Sequence, residues 1–177
     1  MRTNAAERLL ADSNDFEGAE HVVDVDGMSS PRVCVFLNRL VASMDPGEHY
    51  LEIGSWKGLT LLSAARGNKG KLCVACDRFR WWGRYTGWGV VARRALQRNV
   101  ERYRGECAEI RLFEMPSRRL FAERLVEGPV GIYFYDGDHT FEGTREAIRE
   151  GARILSRRAV VLVDDWVEDQ RGATIVD

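Results

Sequence analysis

The chain has 177 residues, a formal net charge of −1, and 45% hydrophobic against 30% charged residues. That length and balance suit one globular domain, give no general pull toward nucleic acid or an anionic membrane surface, and leave no stretch apolar enough to span a bilayer. The opening Met-Arg-Thr-Asn-Ala-Ala-Glu-Arg lacks a signal-peptide core, so a cytoplasmic protein is expected.

Residues 1–30 read as an irregular lead-in with a helical turn or two near Ala5 to Ala11, and 31–177 as the domain. Ser29-Ser30-Pro31 is a helix start, with serine as cap and proline in the first turn. Val33, Phe36, Leu37, Leu40, Val41 and Met44 follow at helical spacing, and Asp45-Pro46-Gly47 ends the run. His49 to Ile53 is a buried strand, Gly54 a tight turn, and Gly58 opens a helix carried by Leu59, Leu61, Leu62, Ala64 and Ala65. Strand, turn and helix in this order present backbone N–H groups to a nucleotide. Gly-x-Gly-x-x-Gly and the P-loop pattern are both absent, which weakens NAD and ATP readings. Lys71 to Cys76 is a second strand ending at Asp77, about where a doubly wound site places the carboxylate that binds ribose hydroxyls. Cys73 and Cys76 sit on opposite faces of that strand, with no second Cys or His pair to complete a zinc set, so buried structural thiols are expected.

Arg78 to Trp88 holds three of the five tryptophans, interleaved with Arg78, Arg80 and Arg84. Such a stretch stacks bases, walls a substrate pocket or packs as a wide loop, and the sequence leaves these open. Val90 to Tyr103 is a helix, Ile110 to Phe113 a third strand, and Arg118 to Glu127 a helix capped by Ser117. Pro129 to Tyr135 is a near-continuous apolar run, the mark of a parallel strand covered on both faces. It ends in Asp136-Gly-Asp-His139; a helix from Phe141 to Leu155 and a fifth strand, Ala159 to Val163, follow, the latter ending in Asp164-Asp165. The alternation predicts an α/β, Rossmann-like, doubly wound and mainly parallel sheet. Asp136, Asp138, Asp164 and Asp165 then gather at its carboxyl edge, where their mutual repulsion favours a hard divalent ion such as Mg²⁺.

Glu52-Ile-Gly-Ser-Trp-Lys-Gly58 resembles the first motif of the class I S-adenosylmethionine (SAM)-dependent methyltransferases, and Asp77 matches their second. The late acids resemble those of metal-dependent O-methyltransferases, including catechol and macrolide-sugar types, and of a broader bacterial group of small-molecule methyltransferases. The resemblance spans about residues 30–170 and implies strand order 3-2-1-4-5, with SAM as cofactor. It implies cofactor contacts from Glu52, Gly54, Ser55, Gly58, Asp77, Arg78, Glu114, Met115 and Asp136, with Glu52 facing the methionine amine. Pro116 interrupts the family's usual pattern after the third strand, which weakens Glu114, Met115 and Ser117. It further implies Mg²⁺ on Asp136, Asp164 and Asp165, catalysis by Asp136 and His139, with His139 as base, and a small-molecule hydroxyl as acceptor. The family's sheet continues past the fifth strand, so its strands 6 and 7 are expected to be missing, and an exposed edge would favour a homo-oligomer. Rival readings are a non-catalytic SAM- or nucleotide-binding subunit and a metal-dependent enzyme that does not use SAM. Nucleic acid is the least expected acceptor, since the Asn-Pro-Pro-Tyr type of motif is absent.

Overall fold

A computed structural model of the chain describes residues 8–9, 21–79 and 86–164. The elements are α1 (Pro31–Ala42), β1 (His49–Ile53), α2 (Leu59–Ala65), β2 (Leu72–Cys76), α3 (Thr86–Tyr103), β3 (Glu109–Phe113), α4 (Ser117–Ala122), β4 (Val130–Tyr135), α5 (Phe141–Gly151) and β5 (Leu155–Val163). The five strands are parallel, as the alternation predicts, and ordered β3-β2-β1-β4-β5, as the resemblance implies.

The register brings the strand ends into line. Ile53 pairs with Cys76 and with Tyr135, Cys76 with Phe113, and Tyr135 with Val163. The residues that follow, Gly54, Asp77, Glu114, Asp136 and Asp164, therefore leave the sheet along one carboxyl edge. Backbone bonds carry the ladder one step past the strands: Gly54 N donates to Cys76 O, Asp77 N to Phe113 O, Asp136 N to Ile53 O and Asp164 N to Tyr135 O.

Both faces of the sheet are covered. On one, Tyr50, Cys73, Ala75, Ile132 and Phe134 pack against Leu37, Leu40 and Val41 of α1, Leu61 and Leu62 of α2, and Leu96 of α3. On the other, Leu51, Ile53, Val74, Cys76, Tyr133 and Tyr135 meet Leu120 of α4 and Ala147 of α5. Cys73 and Cys76 thus fall on opposite faces, and all four cysteines are buried free thiols.

The helix ends show what local sequence controls. Ser30 accepts from Val33 N at 3.3 Å with Pro31 in the first turn, the cap read from the sequence. Helix α4 stops at Ala122, short of the expected Glu127. Leu125 N reaches back to Leu120 O and Arg124 N to Phe121 O, a Schellman closure with Arg124, not glycine, in the left-handed region at φ +53°. Helix α3 begins at Thr86 rather than Val90. Leu155 is not the end of α5: the helix closes at Gly151, one 3₁₀ turn follows, and Leu155 opens β5 opposite Val130. This apolar residue at helical spacing belongs to a strand because β5 begins four positions earlier than its unbroken Ala159–Val163 run suggests.

Candidate functional site

Gly54 carries the turn that makes the site possible. Its φ is +94°, and a Cβ there would lie 1.8 Å from the carbonyl oxygen of Asp136. The β1 and β4 exits can approach this closely only because position 54 has no side chain. Gly58, at φ +91°, makes room for the Leu96 side chain of α3, which would lie 2.5 Å from a Cβ at that position. The space these two glycines leave is thus filled by neighbouring protein.

Trp56 stands between them with φ +42°, a conformation L residues rarely hold. Its backbone N donates to Asp77 Oδ2 at 2.8 Å. Lys57 Nζ sits 4.3 Å from the centre of its indole and pairs with Asp26 of the lead-in. Asp77 in turn accepts from Phe79 N through Oδ1 at 2.7 Å. Burial pushes the Asp77 carboxyl up, and the amides of Phe79 and Trp56 pull it back down. The carboxylate locks the first turn to the end of β2, and its remaining lone pairs can still take hydroxyl donors.

An open cleft of about 1430 Å³ lies along this edge. Ligand pockets are typically about 300–1,000 Å³, so the cleft has room for more than one small molecule. Of the candidate site residues singled out from the sequence, Gly54, Asp77, Arg78, Met115, Ser117, Asp136, Asp138 and His139 line it. Ser55 and Glu114 instead face a small hollow beside Asp77 and Phe79. Glu114 is engaged by α3, accepting from Gln97 at 2.8 Å and pairing with Arg93 at 2.7 Å.

Glu52 lies apart from the cleft wall. The sequence reading places it in the cleft facing a cationic amine, but it is 0% exposed and absent from the cleft wall. Its Oε2 accepts from Tyr50 OH at 2.5 Å and its Oε1 from Thr60 Oγ1 at 3.0 Å. Two-residue alternation turns Glu52 with Tyr50 toward α1 and α2, while Ile53 faces the other side.

The loop after β4 is tightly held. Tyr135 OH accepts from Asp138 N at 2.8 Å and donates to Asp138 O at 3.1 Å, and Thr144 Oγ1 donates to the same carbonyl. Asp138 Oδ1 accepts from Thr140 N at 3.0 Å, which holds its carboxyl below the usual range. Asp138 is thereby a loop and helix-start residue, and His139 is presented on this frame at the cleft. Asp164 is exposed at the end of β5, beside β4 but outside the cleft wall, and Asp165 lies outside the described residues. Among the described residues no group of three His, Cys, Asp or Glu side chains could hold a metal. Of the expected Mg²⁺ ligands, Asp136 and Asp164 are among the described residues, and of these two Asp136 lines the cleft. From the tryptophan- and arginine-rich stretch, Arg78, Phe79 and Trp88 line the cleft, while Arg80, Trp81, Trp82 and Arg84 lie outside the described residues.

Several cleft residues were not found by sequence reasoning. Trp56 lay inside the motif and Tyr135 just before Asp136, but nothing in strand alternation says which face opens to a cleft. Met28, Arg118 and Phe121 also contribute. Met28 had no signal at all, since it reaches the cleft from the lead-in.

The sequence matches the profile of a family described as a methyltransferase domain over residues 51–166, more than half the chain. No curated protein matches the chain. Among solved structures it is similar to an O-methyltransferase from Bacillus cereus in complex with SAH, at 18% identity and TM-score 0.59, covering 90% of this chain and 65% of that one. It is similar to the O-methyltransferase TomG from Streptomyces achromogenes, involved in tomaymycin synthesis and in complex with SAM, at 16% identity and TM-score 0.57, covering 90% and 64%. It is also similar to precorrin 8w decarboxylase from Methanobacterium thermoautotrophicum, at 17% identity and TM-score 0.58, covering 83% and 69%. The chain spans about two thirds of the length of these proteins, and at such identities the likeness concerns the fold. Profile and sheet order agree: the chain belongs to the methyltransferase-domain family and carries the class I SAM-dependent methyltransferase fold.

Proposed function

We propose that the chain transfers the methyl group of SAM to the hydroxyl oxygen of a small molecule. The observation that carries this reading is the convergence of Gly54, Asp77, Asp136 and His139 on one cleft at the carboxyl edge of the sheet. Asp77, fixed by two backbone amides, would accept from the ribose hydroxyls. The Gly54 turn and Arg78 would border the cofactor, and Met115 would lie against its base. The transfer would exchange the S–CH₃ bond for an O–CH₃ bond with SAH as the neutral leaving group, and His139 would take the hydroxyl proton. Since a sulfonium is already an activated donor, orientation within the cleft supplies much of the acceleration.

Asp136 and Asp164, on neighbouring strand ends, favour a divalent ion nearby, with Asp165 as the third ligand from outside the described residues. When bound, such an ion supplies positive charge to an acceptor oxygen and lowers a hydroxyl pKa. A small-molecule acceptor is supported by the cleft's size and the near-neutral chain, which favour it over nucleic acid.

Calorimetric titration of SAM, with and without Mg²⁺, tests the reading on wild type and Asp77→Ala, with circular dichroism confirming that the variant is folded. Binding that Asp77→Ala reduces at least tenfold is expected. Absence of SAM binding to wild type in both conditions would overturn it. Equal turnover of phenol or sugar acceptors with EDTA and with Mg²⁺ would remove the metal from the reading and leave the cofactor in place.

A further inference from the structure

We propose that Glu52 recognises the cofactor by charge from beneath the Gly54–Gly58 turn, and that binding of the cationic cofactor drives its carboxyl to the ionised form with release of a proton to solvent. The inference rests on the cofactor reading above. It replaces direct contact between Glu52 and the ligand with an electrostatic role.

Glu52 is fully buried, and both its oxygens are taken by neutral hydroxyls, those of Tyr50 and Thr60. Among the described residues it forms no ion pair. The titratable groups facing it from every packed element are Tyr50 on β1, Cys73 on β2, Cys34 on α1 and Asp77 at the β2 exit. None of these is a cation at neutral pH. A buried carboxylate without a positive partner is disfavoured in its charged form. Burial accordingly pushes the Glu52 carboxyl up to about 7, with the negative charge of Asp77 adding to the rise.

The position of this group makes the absent counter-charge meaningful. Glu52 lies two residues before Gly54, and Thr60 lies two residues after Gly58, so the hydrogen-bonded carboxyl ties the two ends of the cofactor turn together. On the far side of that turn is the cleft. SAM carries an ammonium and a sulfonium against one carboxylate, a net positive charge. Across a turn of buried backbone this charge is weakly screened and favours the ionised carboxyl. The ionised form accepts from both hydroxyls at once, whereas in the protonated form one contact must reverse, with the carboxyl O–H donating to a hydroxyl oxygen. Ligand charge and turn geometry therefore reinforce each other, and Glu52 is a positioning residue.

Calorimetry of SAM binding to the full chain, repeated at one pH in buffers of different ionisation enthalpy, counts the protons exchanged. The experiment is run at pH 6.5, because a free α-amino group titrates near about 7.7–8.0 and the ligand amine is then already protonated. Wild type is expected to release about half a proton or more per SAM bound. Glu52→Gln is expected to bind SAM with the proton count near zero. Tyr50→Phe removes one donor from the ionised form, so its release should persist and extend to higher pH; this variant decides the matter if Glu52→Gln does not fold. A residue with only a packing role would alter stability and leave the proton count unchanged. SAM binding to wild type without proton release, or equal release from Glu52→Gln, overturns the inference while the cofactor reading stands. No SAM binding to wild type overturns both.

Discussion

Replacing Gly54 by alanine isolates the contact on which the cleft depends. At φ +94° an L residue is strained, at a cost of about 1–2 kcal/mol. The new Cβ would also lie 1.8 Å from the Asp136 carbonyl oxygen, so the β1 and β4 exits must part by more than an ångström. The adjacent Asp136 N to Ile53 O hydrogen bond, 2.8 Å long, would be stretched or lost, adding about 0.5–1.5 kcal/mol. Together these give about 1.5–3.5 kcal/mol, a large part of the roughly 5–15 kcal/mol that holds a typical domain folded. Gly67 provides the control: its φ is +75°, but nothing lies within 4 Å of its Cβ position, so Gly67→Ala bears the conformational cost alone. Thermal unfolding should show Gly54→Ala melting below Gly67→Ala by about 1–6 °C, since about 0.5–1.5 kcal/mol separates the two and each kcal/mol is worth about 2–4 °C in a domain this size. SAM titration should show at least tenfold weaker binding for Gly54→Ala and near wild-type binding for Gly67→Ala. Equal melting of the two variants, or unchanged cofactor affinity in Gly54→Ala, would refute the claim that this backbone approach shapes the site.

Tyr135→Phe removes the hydroxyl that both accepts from and donates to Asp138; it should cost about 1–2 kcal/mol in urea unfolding and lower kcat more than it raises KM, and an unchanged kcat would separate this loop from the chemistry. Glu52 also predicts the pH dependence of the unliganded fold. Its native carboxyl titrates near 7, above its ordinary 4.5, so the native state binds the extra proton between those values and stability falls as pH rises through that window. The loss is at most about 3 kcal/mol, and the stability difference between pH 5 and pH 8 should shrink in Glu52→Gln; an identical difference in both proteins would contradict the assignment. The four buried thiols should resist a thiol reagent in the native protein and all react on unfolding, with burial holding Cys76 up at about 12. Rapid native labelling of Cys73 or Cys76, both in β2, would show that the sheet opens more readily than its packing implies.

The parts of this protein that were legible from sequence are those governed by local rules. Ser30-Pro31 caps a helix wherever it sits, and short apolar runs separated by helical spacing imply parallel strands with right-handed crossovers. That places Gly54, Asp77, Asp136 and Asp164 at one edge, as the register confirms. Boundaries were less legible. Helix α4 ends on an arginine in the left-handed region, without the glycine that usually marks such a stop, and β5 begins in a stretch whose spacing also suits a helix.

Side-chain direction was the part only tertiary structure decided. In a strand covered on both faces, alternation divides residues into two sets but does not say which set meets which layer. Glu52 therefore could not be placed from the motif, and packing turned it with Tyr50 into the core, away from the cleft. The same holds for contacts between distant segments. Gly54 against Asp136, Trp56 against Asp77 and Lys57 against Asp26 each join residues more than 20 positions apart. Sequence by itself determined the fold class and the edge where the candidate site lies, because periodicity and turn chemistry act over a few residues. The shape and charge of the site came from close approach between strands and loops, which only the folded chain brings together.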